Sequence, residues 1–321
     1  MKKFYILTVF LFSALMTFAQ QLPEVSYFIY NYARTNPGSL GSTDMVSITG
    51  IMKNSYLNFP GRPQDLYFNA EMPFNLFGAK HGVGISVLND NIGFYNKLDA
   101  KIGYALRLNV GDGTLGIGIS GSYLENKIKP NWVSAGAIDP ATDPNIPQST
   151  GDNGVKGFGL SAGLFYRTED IYFGVSVLNA YASKIDYSAS STTTGGSNAT
   201  ETLRPHYYIT SGYYLQLTNP AFELQPAINL YSDGTTVTFD LNTTLTYNKK
   251  IWGGVSYRAG SSVIGMVGLM IMDGLKVGYA YDFQTSAMNR YSTGSHELLL
   301  NYSFKIGTDK TPEKYKSIRY L

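Results

Sequence analysis

"TLGIGISGSYL", residues Thr114 to Leu124, spells G-x-G-x-x-G at Gly116, Gly118 and Gly121. In a dinucleotide-binding unit that spelling follows a buried strand and opens a helix whose N-terminus meets a pyrophosphate. No helical pattern follows here. With a period of two, Leu115, Ile117, Ile119 and Tyr123 share one face, and Gly116, Gly118, Ser120 and Ser122 share the other. That is one continuous strand. Its second face is neither bulky nor charged, whereas a soluble sheet puts polar and often charged groups on its wet side.

Composition sharpens the contrast. The chain has 321 residues, with 26 Tyr, 17 Phe and only 2 Trp. Charged residues make up 15%, against about 25% in ordinary soluble domains. A formal charge of +2 gives a nucleic-acid role no support. The absence of Cys excludes disulfides, thiol catalysis and Cys-ligated metals.

The N-terminus reads as a secretory signal. Lys2 and Lys3 precede an apolar run from Phe4 to Phe18, and Thr17 and Ala19 stand at the small positions of a cleavage site before Gln20. The run is shorter than the roughly 20 residues that a spanning helix needs. Residues 1–19 are therefore assigned to the signal peptide and 20–42 to an N-terminal segment.

Past that segment the opening pattern recurs. Ile102, Tyr104, Leu106 and Leu108 alternate with Lys101, Gly103, Ala105 and Arg107; Phe158, Leu160, Leu164 and Tyr166 alternate with Gly157, Gly159, Ser161 and Gly163. Val237, Phe239, Leu241 and Tyr247, and Leu275, Val277, Tyr279 and Phe283, follow the same rule. Alternating segments of about ten residues, separated by turns, mark a transmembrane antiparallel β-barrel. Fourteen such segments fit between residues 43 and 306, the span assigned to the barrel, with 307–321 left as a periplasmic tail. The connections support the assignment, because an outer-membrane barrel has short periplasmic turns and longer outer loops. Gly111-Asp112-Gly113, Thr168-Glu169-Asp170 and Asp273-Gly274 fall on one parity, and the long connections Asn126 to Lys156 and Tyr181 to Leu203 on the other. The bulky face then meets lipid, with Tyr123, Tyr166, Tyr247 and Tyr302 near strand ends as girdle residues. The small face lines a lumen, leaving room for water or for an inserted segment. An arginine on that inner face, at Ser120 or Thr238, is expected to cost little. A soluble β-sandwich would show more charge and fewer aromatics.

Little in the chain points to catalysis. His81, His206 and His296 have no metal-ligand spacing, and no cofactor motif survives scrutiny. Ser295-His296-Glu297 carries hydrolase-like residue types, but a triad needs partners placed by the fold, and a strand start at an aqueous rim accounts for them. By parity Lys101, Arg107, Arg167, Arg258 and Lys276 face the lumen, with Asp240 and Asp282. They either pair with one another or form a basic lumen for an anion or an acidic plug.

Four stretches resemble the PorP/SprF family of type IX secretion outer-membrane proteins of Bacteroidetes. "IYNYARTNPGSLGS" resembles its N-terminal Asn-Pro segment, through Asn36, Pro37 and Gly38, although Ser39-Leu40 replaces the usual Ala/Tyr-like pair. "NFPGRPQDLYFNAEMPF" is similar to the Gly-x-Pro segment that follows, and "GVGISVLNDNIGFYN" to a strand ending in Asn89, Asp90 and Gly93. "STGSHELLLNYSF" resembles the last strand, through Gly294, Ser295, His296 and Glu297. The resemblance implies a non-enzymatic outer-membrane barrel. Its implied partners are outer-membrane lipid and type IX secretion components or a large secreted adhesin, with a role in secretion, adhesin attachment or gliding motility. The alternative is a porin-like or fatty-acid-transporter-like barrel for small hydrophobic or anionic solutes. The tail carries one further expectation: Tyr315, Arg319, Tyr320 and Leu321 dock on a periplasmic partner or turn back toward the lumen.

Overall fold

The computed structural model describes residues 23–128, 154–186 and 200–305. Its strands are β1 (Val46–Asn54), β2 (Gln64–Leu76), β3 (Ala79–Ile92), β4 (Tyr95–Val110), β5 (Gly113–Ile128), β6 (Val155–Arg167) and β7 (Ile171–Ala182). They continue as β8 (His206–Tyr213), β9 (Phe222–Ser232), β10 (Val237–Tyr247), β11 (Ile251–Arg258), β12 (Ser262–Met272), β13 (Leu275–Gln284) and β14 (Ser295–Phe304). Each pairs antiparallel with its chain neighbours. The ladder between β1 and β14, Val46 opposite Phe304 through Asn54 opposite His296, closes the sheet into a barrel. Closure leaves no open edge, as a membrane that offers no water requires.

The inside-outside assignment follows the predicted parity. On β5, Ile117 and Ile119 are 43% and 64% exposed, while Ser120 and Ser122 are buried. On β10, Val237, Leu241 and Tyr247 point out, and Thr238, Asp240, Asn242 and Thr244 point in. The outward apolar side chains form the lipid-facing band. Phe94, Phe158, Tyr181 and Phe283 ring its outer end, and Tyr213, Tyr247, Tyr302 and Phe304 its periplasmic end.

The periplasmic turns are tight. Phe77-Gly78 joins β2 to β3 and Gly111-Asp112 joins β4 to β5. At the outer end, β3 meets β4 through Gly93-Phe94, where Gly93 has a φ of +57° that favours glycine. The connection from β7 to β8 carries a small hairpin, Lys184–Asp186 against Thr200–Thr202. It folds over the outer mouth: Ile185 is fully buried, and the Glu201 carboxylate accepts from Asn126 Nδ2 at 3.0 Å and lies 3.7 Å from Lys97 Nζ.

Residues 23–45 are not a periplasmic appendage. They run up the lumen, from Met45 at the periplasmic end of β1 to Pro23, which lies near Asp90, Asn126 and Ile185 at the outer end. A 3₁₀ turn (Phe28–Tyr30), a single α-helical turn (Tyr32–Thr35) and a second 3₁₀ turn (Pro37–Ser39) make this segment compact. The main apolar core lies between this plug and the wall. Val25, Tyr27 and Phe28 pack with Ile51, Tyr67, Leu88, Trp252, Ile264, Met266 and Leu299. Tyr27 meets Trp252 edge to face at 5.6 Å.

Candidate functional site

Three groups of contacts seat the plug. At the outer end Glu297 is 2% exposed, and its two oxygens accept from the backbone N–H of Ser26 (2.8 Å) and Tyr27 (3.0 Å). Lys53 lies 4.0 Å from the same carboxylate and donates to the Glu24 carbonyl at 2.6 Å. Arg258 holds Asp240 with two bonds, at 2.9 and 3.1 Å, lies 3.9 Å from Asp282, and donates to the Val25 carbonyl at 3.2 Å. Burial first, then the charge of Asp240, pushes the Glu24 carboxyl up to about 8, with Arg258 opposing them. Tyr208 donates to that carboxyl at 3.1 Å.

Midway, Arg34 of the plug meets Asp99 at 2.6 Å, and Asn69 donates to Asn31 at 2.9 Å. Lys101 sits 3.6 Å from the same Asp99. Lower down, the backbone itself is the contact. Asn36 donates to the Leu164 carbonyl at 3.0 Å, Ser176 donates to the Thr35 carbonyl at 2.6 Å, and Gly41 N–H donates to Glu71 at 2.9 Å. Gly116 and Gly118 lie directly against this stretch: a Cβ on Gly116 would stand 2.0 Å from the Gly38 oxygen, and one on Gly118 2.2 Å from the Pro37 carbonyl carbon. The bare inner face of β5 exists because plug backbone lies on it. Gly121, the third glycine of the spelling, faces outward and has nothing within 4 Å of its Cβ position.

The residues singled out in sequence sort onto this geometry. Asn36, Pro37 and Gly38 are plug residues in the glycine-lined seat. Asp90 points into the lumen opposite Asp65, Asn89 accepts from Asn96 at 2.8 Å on the outer rim, and Gly93 makes the adjoining turn. Gly294 takes a φ of +109° where a side chain would strike the Asp282 carbonyl and Tyr281. Ser295 and Glu297 face inward, whereas His296 faces outward with its Nδ1 2.5 Å from the Tyr279 hydroxyl. Ladder parity thus puts His296 on the opposite face from its two neighbours.

Of the lumen charges, Lys101, Asp240, Arg258 and Asp282 pair as just described. Arg107 lies in the field of Asp44 and Glu71. Arg167 and Lys276 lie over the rings of Tyr214 (5.3 Å) and Tyr30 (5.6 Å). The acids Asp65, Glu71, Asp90, Asp99 and Glu297 also lie on the inner side. Acids therefore stand among the bases of the inner face, where Lys101 and Arg258 are ion-paired. Below the plug a cavity of about 570 Å³ opens toward the periplasmic end, lined by Tyr30, Arg167, Tyr214, Glu223, Thr246 and Lys276. Residues 1–19 and the tail with Tyr315, Arg319, Tyr320 and Leu321 lie outside the described residues, as do 129–153 and 187–199 of the two long outer connections.

The family model of the type IX secretion system membrane protein PorP/SprF matches residues 17–302. The chain belongs to this PorP/SprF family. The match takes in the plug and nearly the whole barrel. Among solved structures, the toluene transporter TbuX of Ralstonia pickettii aligns with a TM-score of 0.50 at 12% identity, covering 85% of this chain and 92% of its own. The CymD monoaromatic hydrocarbon channel aligns equally well, at 10% identity, covering 85% and 91%. Omp33 of Acinetobacter baumannii follows at a TM-score of 0.45 and 10% identity, covering 82% and 98%. At these identities the likeness is one of fold, an outer-membrane barrel, and with the family it places this PorP/SprF protein in the outer membrane. A search of curated proteins returned no match.

The outer clamp of this PorP/SprF barrel makes a prediction. Glu297→Ala removes two charge-assisted bonds and strands Lys53, which should weaken plug seating by about 3 kcal/mol. The chain has no Cys, so a cysteine at Ser26 is a clean reporter. Its thiol labelling should rise about 100-fold in the Glu297→Ala background. Equal labelling in both backgrounds would show that the clamp does not hold the plug.

Proposed function

We propose that this protein acts through protein partners, as a non-enzymatic barrel supporting type IX export, surface attachment of a secreted adhesin, or gliding. The observation that carries this reading is the plug. The chain's own residues 23–45 occupy the outer and middle lumen and tie to the wall with buried ion pairs and backbone hydrogen bonds. A solute transporter needs a path lined by groups that bind and release its cargo. Here the polar groups of the outer and middle lumen are spent on the plug. The surfaces left for recognition are the outer connections, the periplasmic cavity and the tail.

Affinity purification from native outer membranes, paired with planar-bilayer recording, tests the reading. The full chain should bring down type IX components or an adhesin and should conduct no ions. A lone barrel that conducts would overturn it in favour of the solute-channel alternative. Deleting residues 309–321 should leave a heat-modifiable barrel with reduced partner recovery, by loss of Tyr315, Arg319, Tyr320 and Leu321. Unchanged recovery would move the partner contact to the connections Asn126 to Lys156 and Tyr181 to Leu203.

A further inference from the structure

The plug seat has a counterpart on the outside of the barrel. Inside, Gly82, Ala105, Gly118, Gly163 and Ser176 lie on one register line across β3 to β7. Plug residues 35–41 lie along that line. A Cβ on Gly82 would sit 2.1 Å from the Leu40 oxygen, and one on Gly163 2.1 Å from Asn36 Oδ1. At the glycines of this line, plug backbone and the Asn36 amide lie directly on the wall backbone. On the reverse face of the same strands a register line three residues nearer the outer end runs through Ile48, Ala70, Ile85, Ile102, Gly121 and Leu160. There the outer wall is concave, forming an apolar groove of about 920 Å³ that reaches Ala162, Ala180 and Tyr181. It crosses seven strands, about 29 Å at the spacing of paired strands.

The outer end of the groove is marked by charge. Lys127 and Lys156 project outward from the ends of β5 and β6 nearest the long loops. Lys184 is exposed on the hairpin beside them, next to Ser183, whose N–H donates to the Phe158 carbonyl at 2.8 Å and whose Oγ accepts from the Phe158 N–H at 2.7 Å. Glu125 lies opposite Lys156 and 3.1 Å from Lys127, so the outward lysines here outnumber the one glutamate among them. Tyr123 and Phe158, edge to face at 5.8 Å, sit between rim and groove. A cationic rim, an aromatic step and an apolar trough follow one another toward the membrane midplane. That order matches a lipid with an anionic headgroup. The rim lies at the long-loop end, so the matching leaflet is the outer one. Separated lysines and a trough seven strands wide call for more than one phosphate and more than two chains.

We propose that the groove over β1–β7, with the Lys127, Lys156 and Lys184 rim, binds a phosphorylated, multiply acylated glycolipid of the outer leaflet. The phosphates meet the lysines, and the acyl chains fill the apolar depression.

The test is retention of a defined diphosphorylated, six-chain glycolipid by the full chain refolded in phosphatidylcholine vesicles, counted by native mass spectrometry after mild extraction. Gel heat-modifiability verifies folding of each variant. Wild type should retain the glycolipid. Lys156→Gln with Lys184→Gln should weaken retention about 30-fold, from about 1 kcal/mol per lysine at a lipid surface. Ala162→Trp, which fills the trough without touching the rim, should also lower it. Three results would overturn the proposal: equal retention by the lysine variant, equal retention of the dephosphorylated glycolipid, or retention unaffected by Ala162→Trp in a folded barrel.

Discussion

Leu241→Arg and Ile117→Arg are expected to destabilise the folded barrel by roughly 2–4 kcal/mol each, the cost of an arginine on the lipid face near the midplane. Both side chains point outward, 46% and 43% exposed, and both lie in the middle part of their strands. There an arginine has no water within reach and no partner on the wall. The matched control is Thr246→Arg, inward on β10 and lining the periplasmic cavity. A guanidinium there reaches water and Glu223, which lies directly across the ladder, so the cost should stay within about 1 kcal/mol. Urea titration of refolding into vesicles, scored by heat-modifiable migration, measures all three. Equal damage at Thr246 and Leu241 would mean that the faces are reversed.

The structure also corrects which inner positions tolerate such a change. Ser120 is inward as predicted, but it is buried beside Gly103, whose own Cβ position is 2.7 Å from Leu40 of the plug. An arginine at Ser120 would collide with the plug rather than meet water. Of the two expectations for the inner face, room for water or for an inserted segment, the second describes the stretch where the plug is seated, and open space remains in the periplasmic cavity.

The strands were legible because lipid outside and a lumen inside impose one rule on every second residue, and that rule survives in a single sequence. Fourteen alternating segments and the parity of the turns follow from it. The plug was not legible by the same means. Residues 23–45 have neither a period of two nor of 3.6, and their partners are remote: Glu297 meets Ser26 and Tyr27 across 271 and 270 positions. Which inward charges pair depends on barrel closure, which no local pattern encodes. Two traces were present nonetheless. The segment "SYFIYNY" is too aromatic for a solvated tail, and the inner faces of β5 and β6 are too bare for a water-filled pore. The resemblance to PorP/SprF also singled out Asn36, Pro37, Gly38 and Glu297, which lie in the seat and the clamp.

Gly118→Ala with Gly116→Ala is therefore expected to unseat the plug while leaving the barrel closed. Each methyl would stand 2.0–2.4 Å from plug backbone: the Gly38 oxygen for Gly116, and the Pro37 carbonyl and Gly38 nitrogen for Gly118. Overpacking commonly costs 1–3 kcal/mol where flexible side chains move aside. Here both colliding groups are main chain, and the plug backbone is fixed by the bonds from Asn36 and Ser176. About 3 kcal/mol for each substitution is the expected loss of seating, at the upper end of that range. The strand itself should survive, because its ladder bonds to β4 and β6 do not involve the Cβ. The third glycine supplies the internal control. Gly121→Ala adds the same methyl to the same strand, facing out, with nothing within 4 Å, and should leave the plug in place. A cysteine at Ser39, 3% exposed in the seat, should label rapidly in the double variant and slowly in Gly121→Ala. Single-channel recordings should show conductance only in the double variant. A double variant that stays non-conducting with Ser39→Cys still protected would mean that something other than residues 23–45 closes this barrel.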